Sequence, residues 1–302
     1  MSDNESPVTV ARGFRRLFEP ITIGNFTARN RIVNPTHPTG VSEARDLRYL
    51  RERARGGAGL IGLGAGGGVH DYSVGPDRYS PDRYPGVGSD SAVSYDSAWD
   101  AVLPSALSRV GMEMYDDMVI SRLRKRAEVI HAEGSHCYAQ VSHGGVADHW
   151  PKLRPLVGPS SVPEPYEGHV SHSLSADEID ELVTLFAHGI RRVKESGVDA
   201  AELHGAHGYL IAQFLSPYFN RREDAWGGTV ERRAKIVVDI IAAARHMVGD
   251  SFPIGIRLGC DGDGRSRGLT IPELVETCRL LSPHVAYISI STGNYAGFRR
   301  RA

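Results

Sequence analysis

Two histidines and a tyrosine stand within one short stretch, His204-Gly205-Ala206-His207-Gly208-Tyr209, directly after an apolar run that ends Glu202-Leu203. An imidazole donates a hydrogen bond to a carbonyl or nitro oxygen, and a pair of them draws electron density from a conjugated carbon so that hydride can attack it. A phenol beside them can supply the balancing proton. The same rings could be satisfied core residues or metal ligands, but no cysteine or carboxylate near them has metal-ligand spacing. No metal is therefore expected. A second constellation, Gly62-Leu63-Gly64-Ala65-Gly66-Gly67, has the spacing of a dinucleotide-binding turn and follows a predicted strand. What comes next, Gly68 to Pro76, is not an amphipathic helix, so no helix N-terminus waits to receive a pyrophosphate. The glycines read instead as backbone that a flat ligand can approach closely at a strand's C-terminal end.

These residues need elements to hold them, and the chain alternates short β-branched apolar runs with stretches of helical spacing. Six strands are predicted: Arg31–Pro35, Gly59–Leu63, His136–Val141, Asp199–Leu203, Pro253–Leu258 and Val285–Ile290. Ser175 to Glu178 is a capping box, with Leu174 and Ile179 placed as a hydrophobic staple. Ile179, Leu182, Val183, Phe186, Ile190 and Val193 then recur at helical spacing until Gly197 stops the helix. Thr270-Ile271-Pro272-Glu273 is a second capping box, and the helix after it puts Leu274, Val275, Cys278 and Leu281 on one face. Cys278 is thus expected in the core. Strands that read as buried on both faces and alternate with helices imply a parallel sheet, either open and doubly wound or closed as a (β/α)8 barrel, and pattern alone does not choose. In a barrel, side chains at strand C-termini line the active face, which is where His204 falls.

Composition bounds the partners. The 302 residues, 41% hydrophobic and 24% charged, can bury one large core or two small ones. With 35 Lys plus Arg against 36 Asp plus Glu, no net field favours nucleic acid or an anionic membrane, so a small molecule is the expected substrate. Cys137, Cys260 and Cys278 form no Cys-x-x-Cys, which excludes a disulfide framework and fits a reducing cytoplasm. Asp3 and Glu5 at the N-terminus and the absence of a long apolar run argue against secretion and membrane spanning. Neither an internal repeat nor a linker divides the chain, so a single domain over 1–302 is expected, with a long irregular excursion at about 70–110, rich in Gly, Pro, Ser, Asp and Tyr. The closing Arg299-Arg300-Arg301 reads as solvated chain.

The histidine stretch runs on into Leu210-Ile211-Ala212-Gln213-Phe214-Leu215-Ser216-Pro217-Tyr218-Phe219-Asn220-Arg221-Arg222-Glu223-Asp224-Ala225-Trp226-Gly227-Gly228. This resembles the signature of the Old Yellow Enzyme family of NAD(P)H:flavin oxidoreductases, whose members share an FMN-binding (β/α)8 barrel. Leu17-Phe18-Glu19-Pro20, Asn30-Arg31-Ile32-Val33, Gly56 to Ile61, and Gln140 with His143 carry the similarity over most of the chain. The resemblance takes in both the 2,4-dienoyl-CoA reductase branch and the amine-dehydrogenase branch. It implies that His204 and His207 bind the substrate's activating oxygen and that Tyr209 donates the proton. It also implies that Pro35, Thr36 and Ala65 line the flavin ring, that Gln140 pairs with its pyrimidine edge, and that Arg257 lies beside flavin N1 and the C2 oxygen. A fixed guanidinium there would stabilise the anionic reduced flavin.

Some positions depart from the family pattern. His37 stands where threonine or cysteine is usual near the reactive flavin edge, Val146 replaces an arginine after the Gly-Gly pair, and Trp226 replaces a common tyrosine. No cysteine occurs near the first strand, so covalent flavin attachment is not expected. Ser289 to Tyr295 resembles the sixth strand and its loop, which makes the expected fold a barrel truncated after about six βα units, without the last two and the FMN phosphate grip they supply. An unclosed sheet would favour a homo-oligomer or a partner chain over its open edge. The function this resemblance implies is hydride transfer from NAD(P)H through FMN to an activated alkene or enoyl acceptor. The alternatives are an amine-dehydrogenase-like electron-transfer enzyme and a non-catalytic remnant or partner-dependent subunit.

Overall fold

In a computed structural model of the protein, the residues described are 12–37, 43–63, 114, 117–147, 156–163, 168, 170–260 and 268–292. The predicted excursion and the glycines after Leu63 lie outside them. A 3-10 helix, Arg12–Phe18, leads into an antiparallel hairpin of β1 (Ile21–Ile23) and β2 (Phe26–Ala28), turned at Gly24, whose φ is +57°. The main sheet contains β3 (Val33–Asn34), β4 (Leu60–Leu63), β5 (His136–Val141), β8 (Ala200–Gly205), β9 (Ile254–Cys260) and β10 (Ile288–Thr292). Between β5 and β8 a small parallel pair forms from β6 (Val157–Gly158) and β7 (His172–Ser173). The helices are α1 (Glu43–Arg55), α2 (Met118–His131), α3 (Ala176–Glu195), α4 (Leu210–Leu215), α5 (Val230–Val248) and α6 (Ile271–Leu281).

Every pairing in the main sheet is parallel, and its order, β10-β9-β8-β5-β4-β3, follows the chain without reversal. A doubly wound sheet reverses at a switch point; an arc of a (β/α) barrel does not. The order therefore decides between the two architectures that the pattern left open, in favour of the barrel type. One face of the sheet, carrying Ile61, Leu63, Cys137, Ala139, Val141, Ala201, Leu203, Ile254, Ile256 and Leu258, merges with the helices into one buried cluster. The residues between them, Gly62, Tyr138, Gln140, Ala200, Glu202, His204, Gly255 and Arg257, point to the other face, because side chains alternate along a strand.

Local signals built the helices as expected. Both capping boxes close: Ser175 accepts from the Glu178 N–H and Thr270 from the Glu273 N–H, and each glutamate answers the cap's own N–H. Leu174 and Ile179 are both buried, and Gly197, at φ +82°, follows the end of α3. Cys278 packs half-buried against the core, where burial raises its thiol. The first strand is shorter than predicted, beginning at Val33 and ending at Asn34, before Pro35, which has no N–H to continue the ladder. The last begins at Ile288, but Ala286 N–H to Ile254 O at 2.8 Å and Ile256 N–H to Tyr287 O at 3.1 Å extend its pairing backward. No helix among the described residues is long and apolar enough to cross a membrane.

Candidate active site

Two polar groups occupy the inner face, and sheet register joins them. The first centres on Glu202, whose Oε1 accepts from Gln140 Nε2 at 2.8 Å and from Arg257 Nε at 3.1 Å. Arg257 Nη2 reaches the Tyr138 hydroxyl at 3.3 Å, and that hydroxyl also accepts the Thr36 N–H at 3.2 Å. Thr36, Gln140 and Arg257, predicted separately, are thus tied into one buried network through two residues that no motif singled out, Tyr138 and Glu202. Gly62 makes room for it: a Cβ there would press on Thr36 N and stand 2.5 Å from Thr36 Oγ1 and 2.6 Å from the Tyr138 hydroxyl. Below, Tyr138 meets Tyr287 edge-on at 6.2 Å, and Leu60, Ala200, Ile23 and Phe26 complete an apolar floor closed by the N-terminal hairpin.

Burial raises the Glu202 carboxyl against the pull of Arg257 and Gln140. Burial works to lower Arg257, but the charges and hydrogen bonds of Glu202 and Tyr138 together outweigh it, so the guanidinium is held more firmly charged than usual. Burial, and next the Glu202 charge, push up Tyr138. Burial of its hydroxyl, and next the Glu202 charge, push the half-buried Tyr287 well up. The tyrosines here are therefore neutral hydroxyls that can turn to suit a ligand.

The second group is the histidine turn. His204 lies next to the last residue of β8, beside Arg257 in register. His207 sits at φ +59°, a left-handed conformation rarely held by a residue with a Cβ, and Gly208 continues at φ +81°. This double left-handed turn brings the His207 ring back over His204, with centroids 5.0 Å apart and His207 Nδ1 to His204 Nε2 at 3.3 Å. Tyr209, at the start of α4, stands edge-on to His204 at 4.8 Å. His207 Nε2 reaches Ser291 Oγ on β10 at 2.7 Å. Burial drives His204 well below its ordinary value, with His207 and Arg257 acting the same way, and burial followed by Arg257 lowers His207. Both rings are neutral at pH 7.

The rest of the signature stretch fastens this turn. Gln213, fully buried, donates to Gly208 O at 2.8 Å and to Gly144 O at 3.2 Å and accepts the Val146 N–H, locking the turn after β8 to the turn after β5. Asn220 donates to Phe214 O and Trp226 O, both at 2.7 Å, and Arg233 holds Leu215 O, Gly228 O and Glu273. These residues set the loop's shape. At the opposite end of the sheet, His131, His136 and Asp199 are close enough together to suit a metal. Their atoms are already engaged: Asp199 accepts from His131 Nε2 at 2.7 Å, His136 Nδ1 at 2.9 Å and the Cys137 N–H at 2.8 Å, a lock between the end of α2 and the starts of β5 and β8.

Pro35, Thr36, Gln140, Arg257, His204, His207 and Tyr209 therefore all lie at the C-terminal side of the sheet, while Ala65 lies outside the described residues. A profile of the NADH:flavin oxidoreductase / NADH oxidase family matches residues 103–290. The chain belongs to that family. It is 33% identical over 272 residues to the N,N-dimethylglycine/sarcosine dehydrogenase of Chromohalobacter salexigens, covering 86% of this chain and 34% of that protein. It is 31% identical over 290 residues to the NADH oxidase of Thermoanaerobacter brockii, covering 91% of this chain and 39% of that one. It thus spans little more than a third of the length of these relatives. Among solved structures, a 2-naphthoyl-CoA reductase complex superposes with a TM-score of 0.72 at 25% identity over 93% of this chain and 41% of that one. An Old Yellow Enzyme from Pichia sp. gives a TM-score of 0.67 at 23% identity, covering 91% and 70%, a likeness of fold.

The inner network suits a flavin. The Thr36 hydroxyl is buried beside the Tyr138 hydroxyl, a group that can donate or accept. Together with the Gln140 amide and the Arg257 guanidinium, it offers donors for the carbonyls and, in the Gln140 amide oxygen, an acceptor for the N–H of an isoalloxazine's pyrimidine edge.

Proposed function

We propose that the chain is the flavin-binding part of an FMN-dependent NAD(P)H oxidoreductase whose acceptor is an activated alkene or enoyl-type compound. Bound FMN would take hydride from NAD(P)H and deliver it to that acceptor. Thr36, Gln140 and Arg257 would hold the pyrimidine edge, with Pro35 and Ala65 along the ring, and the Arg257 charge would favour the reduced anion. His204 and His207, neutral and stacked edge-on, would bind the acceptor's oxygen, and the Tyr209 hydroxyl would give the proton. The observation that carries this reading is the buried network, which gathers Thr36, Gln140 and Arg257 from three separate strand ends into one ligand-facing set.

A second reading is favoured by the first relative named above, a dimethylglycine/sarcosine dehydrogenase, and by a 29% identical relative described as a probable N-methylproline demethylase. In that reading an N-methylated amine reduces the flavin and electrons leave to a carrier. Anaerobic mixing of the flavin-loaded protein with NADH, NADPH or dimethylglycine separates the two. Bleaching of the flavin absorbance by a nicotinamide and not by the amine supports the first reading, and the reverse pattern supports the second. Bleaching by none of them contradicts both.

A further inference from the structure

We propose that Ser291 is a positioning residue that selects which nitrogen of His207 carries the proton, and thereby whether the histidine pair can grip an oxygen atom with two N–H donors. This rests on reading His204 and His207 as the oxygen-binding pair.

The hydrogen bonds fix the tautomers in sequence. Ala206 N–H donates to His204 Nδ1 at 3.2 Å, so that nitrogen is bare and the single proton of neutral His204 is on Nε2. His204 Nε2–H then donates to His207 Nδ1 at 3.3 Å, which leaves His207 protonated on Nε2, and Nε2–H donates to Ser291 Oγ at 2.7 Å. In this state the N–H of one ring is spent on the other. An oxygen entering between the rings meets a donor on His204 but a lone pair on His207 Nδ1, which repels it.

For both rings to donate, the His207 proton must sit on Nδ1, and its bare Nε2 then needs an O–H donor. A serine hydroxyl meets both requirements by rotating, accepting from Nε2–H in one state and donating to Nε2 in the other. The proton count does not change: one proton leaves Nε2 for water and one arrives at Nδ1 from water. Opposite Ser291 in the sheet is Gly259, so no side chain at its register partner competes for the hydroxyl. An alanine at 291 could serve neither state. Ser291 comes from a different strand, 84 residues from His207, and its distance to Nε2 is the shortest of the three bonds.

The test is long-range proton–nitrogen correlation spectroscopy on the flavin-loaded chain with 15N-labelled histidine, with and without saturating 4-chlorophenol, followed by titration of Ser291→Ala and Ser291→Thr. The expected spectra show His207 as the Nε2–H tautomer alone and as Nδ1–H with the phenol bound. Ser291→Ala is expected to raise the phenol Kd about 3- to 10-fold, the loss of one hydrogen bond, and Ser291→Thr to restore it. Unchanged tautomers on phenol binding in the native protein, or a Kd in Ser291→Ala within about twofold of native, would overturn the role of Ser291. If His204→Ala/His207→Ala weakens phenol binding while Ser291→Ala does not, only this inference fails. If the double variant also binds the phenol normally, the reading of the site fails with it.

Discussion

Replacing Asp199 by asparagine should cost stability in a way that disappears in acid. Burial alone would raise this carboxyl, but hydrogen bonds from His131, the Cys137 N–H and His136 outweigh it and hold it at about 2, against an ordinary 3.8. A group whose folded value is depressed contributes above its unfolded value and loses that contribution as pH falls through the folded one. The gap amounts to about 2 kcal/mol at pH 7, about 1 kcal/mol at pH 3 and almost nothing near pH 1. His131 has the opposite sign: its bond to Asp199 raises it above 6.5, so its share is present below that value and fades as pH rises through the folded value. Urea unfolding of native and Asp199→Asn chains from pH 8 to pH 3 is the assay. A destabilisation that is largest near pH 6 and shrinks below pH 4 is expected; one that stays constant to pH 3 would refute the charge lock. The lock matters to function because Asp199 sets where β5 and β8 begin, and those strands carry Tyr138, Gln140, Glu202 and His204.

Gly62→Ala forces a methyl group into Thr36 and the Tyr138 hydroxyl, so a loss of about 1–3 kcal/mol in urea unfolding is expected together with weakened FMN binding; unchanged FMN affinity would show that Thr36 does not touch the ring. Arg257→Met leaves the Glu202 carboxylate buried without its cation, at a cost of about 3–5 kcal/mol if Glu202 stays ionised. Because burial already raises Glu202, the variant should lose stability as pH rises above 4.5 and recover it in mild acid, and a flat pH profile would contradict this. His204→Ala/His207→Ala should weaken 4-chlorophenol binding while flavin absorbance stays stoichiometric, and joint loss of both would place the histidines in flavin binding instead.

What the sequence revealed, and what it hid, follows from how far each contact reaches along the chain. The histidine turn is local, and Gly208 beside His207 already marks the left-handed bend that stacks the rings. The capping boxes are local too, and both formed. Glu202 is a legible exception: an ionisable residue in the middle of the buried run Ala200-Ala201-Glu202-Leu203 must be paired, and its partners are Arg257 and Gln140. Tyr138 and Ser291 gave no such sign, since their roles depend on sheet register across 119 and 84 residues. The hairpin at Ile21–Ala28 was readable from Gly24-Asn25 between two β-branched or aromatic runs, but its strands are only three residues long. Strand order, which chose the barrel over the doubly wound sheet, is not written in any one segment.

Riboflavin carries the isoalloxazine ring without a phosphate, so its fluorescence titration with this chain reads the Thr36, Gln140 and Arg257 network by itself. Saturable binding of one riboflavin per chain is expected, weakened at least about tenfold in a folded Arg257→Met variant, as befits loss of a charge-assisted contact. No saturable binding, or equal affinity with and without the guanidinium, would contradict the assignment of this inner face to a flavin.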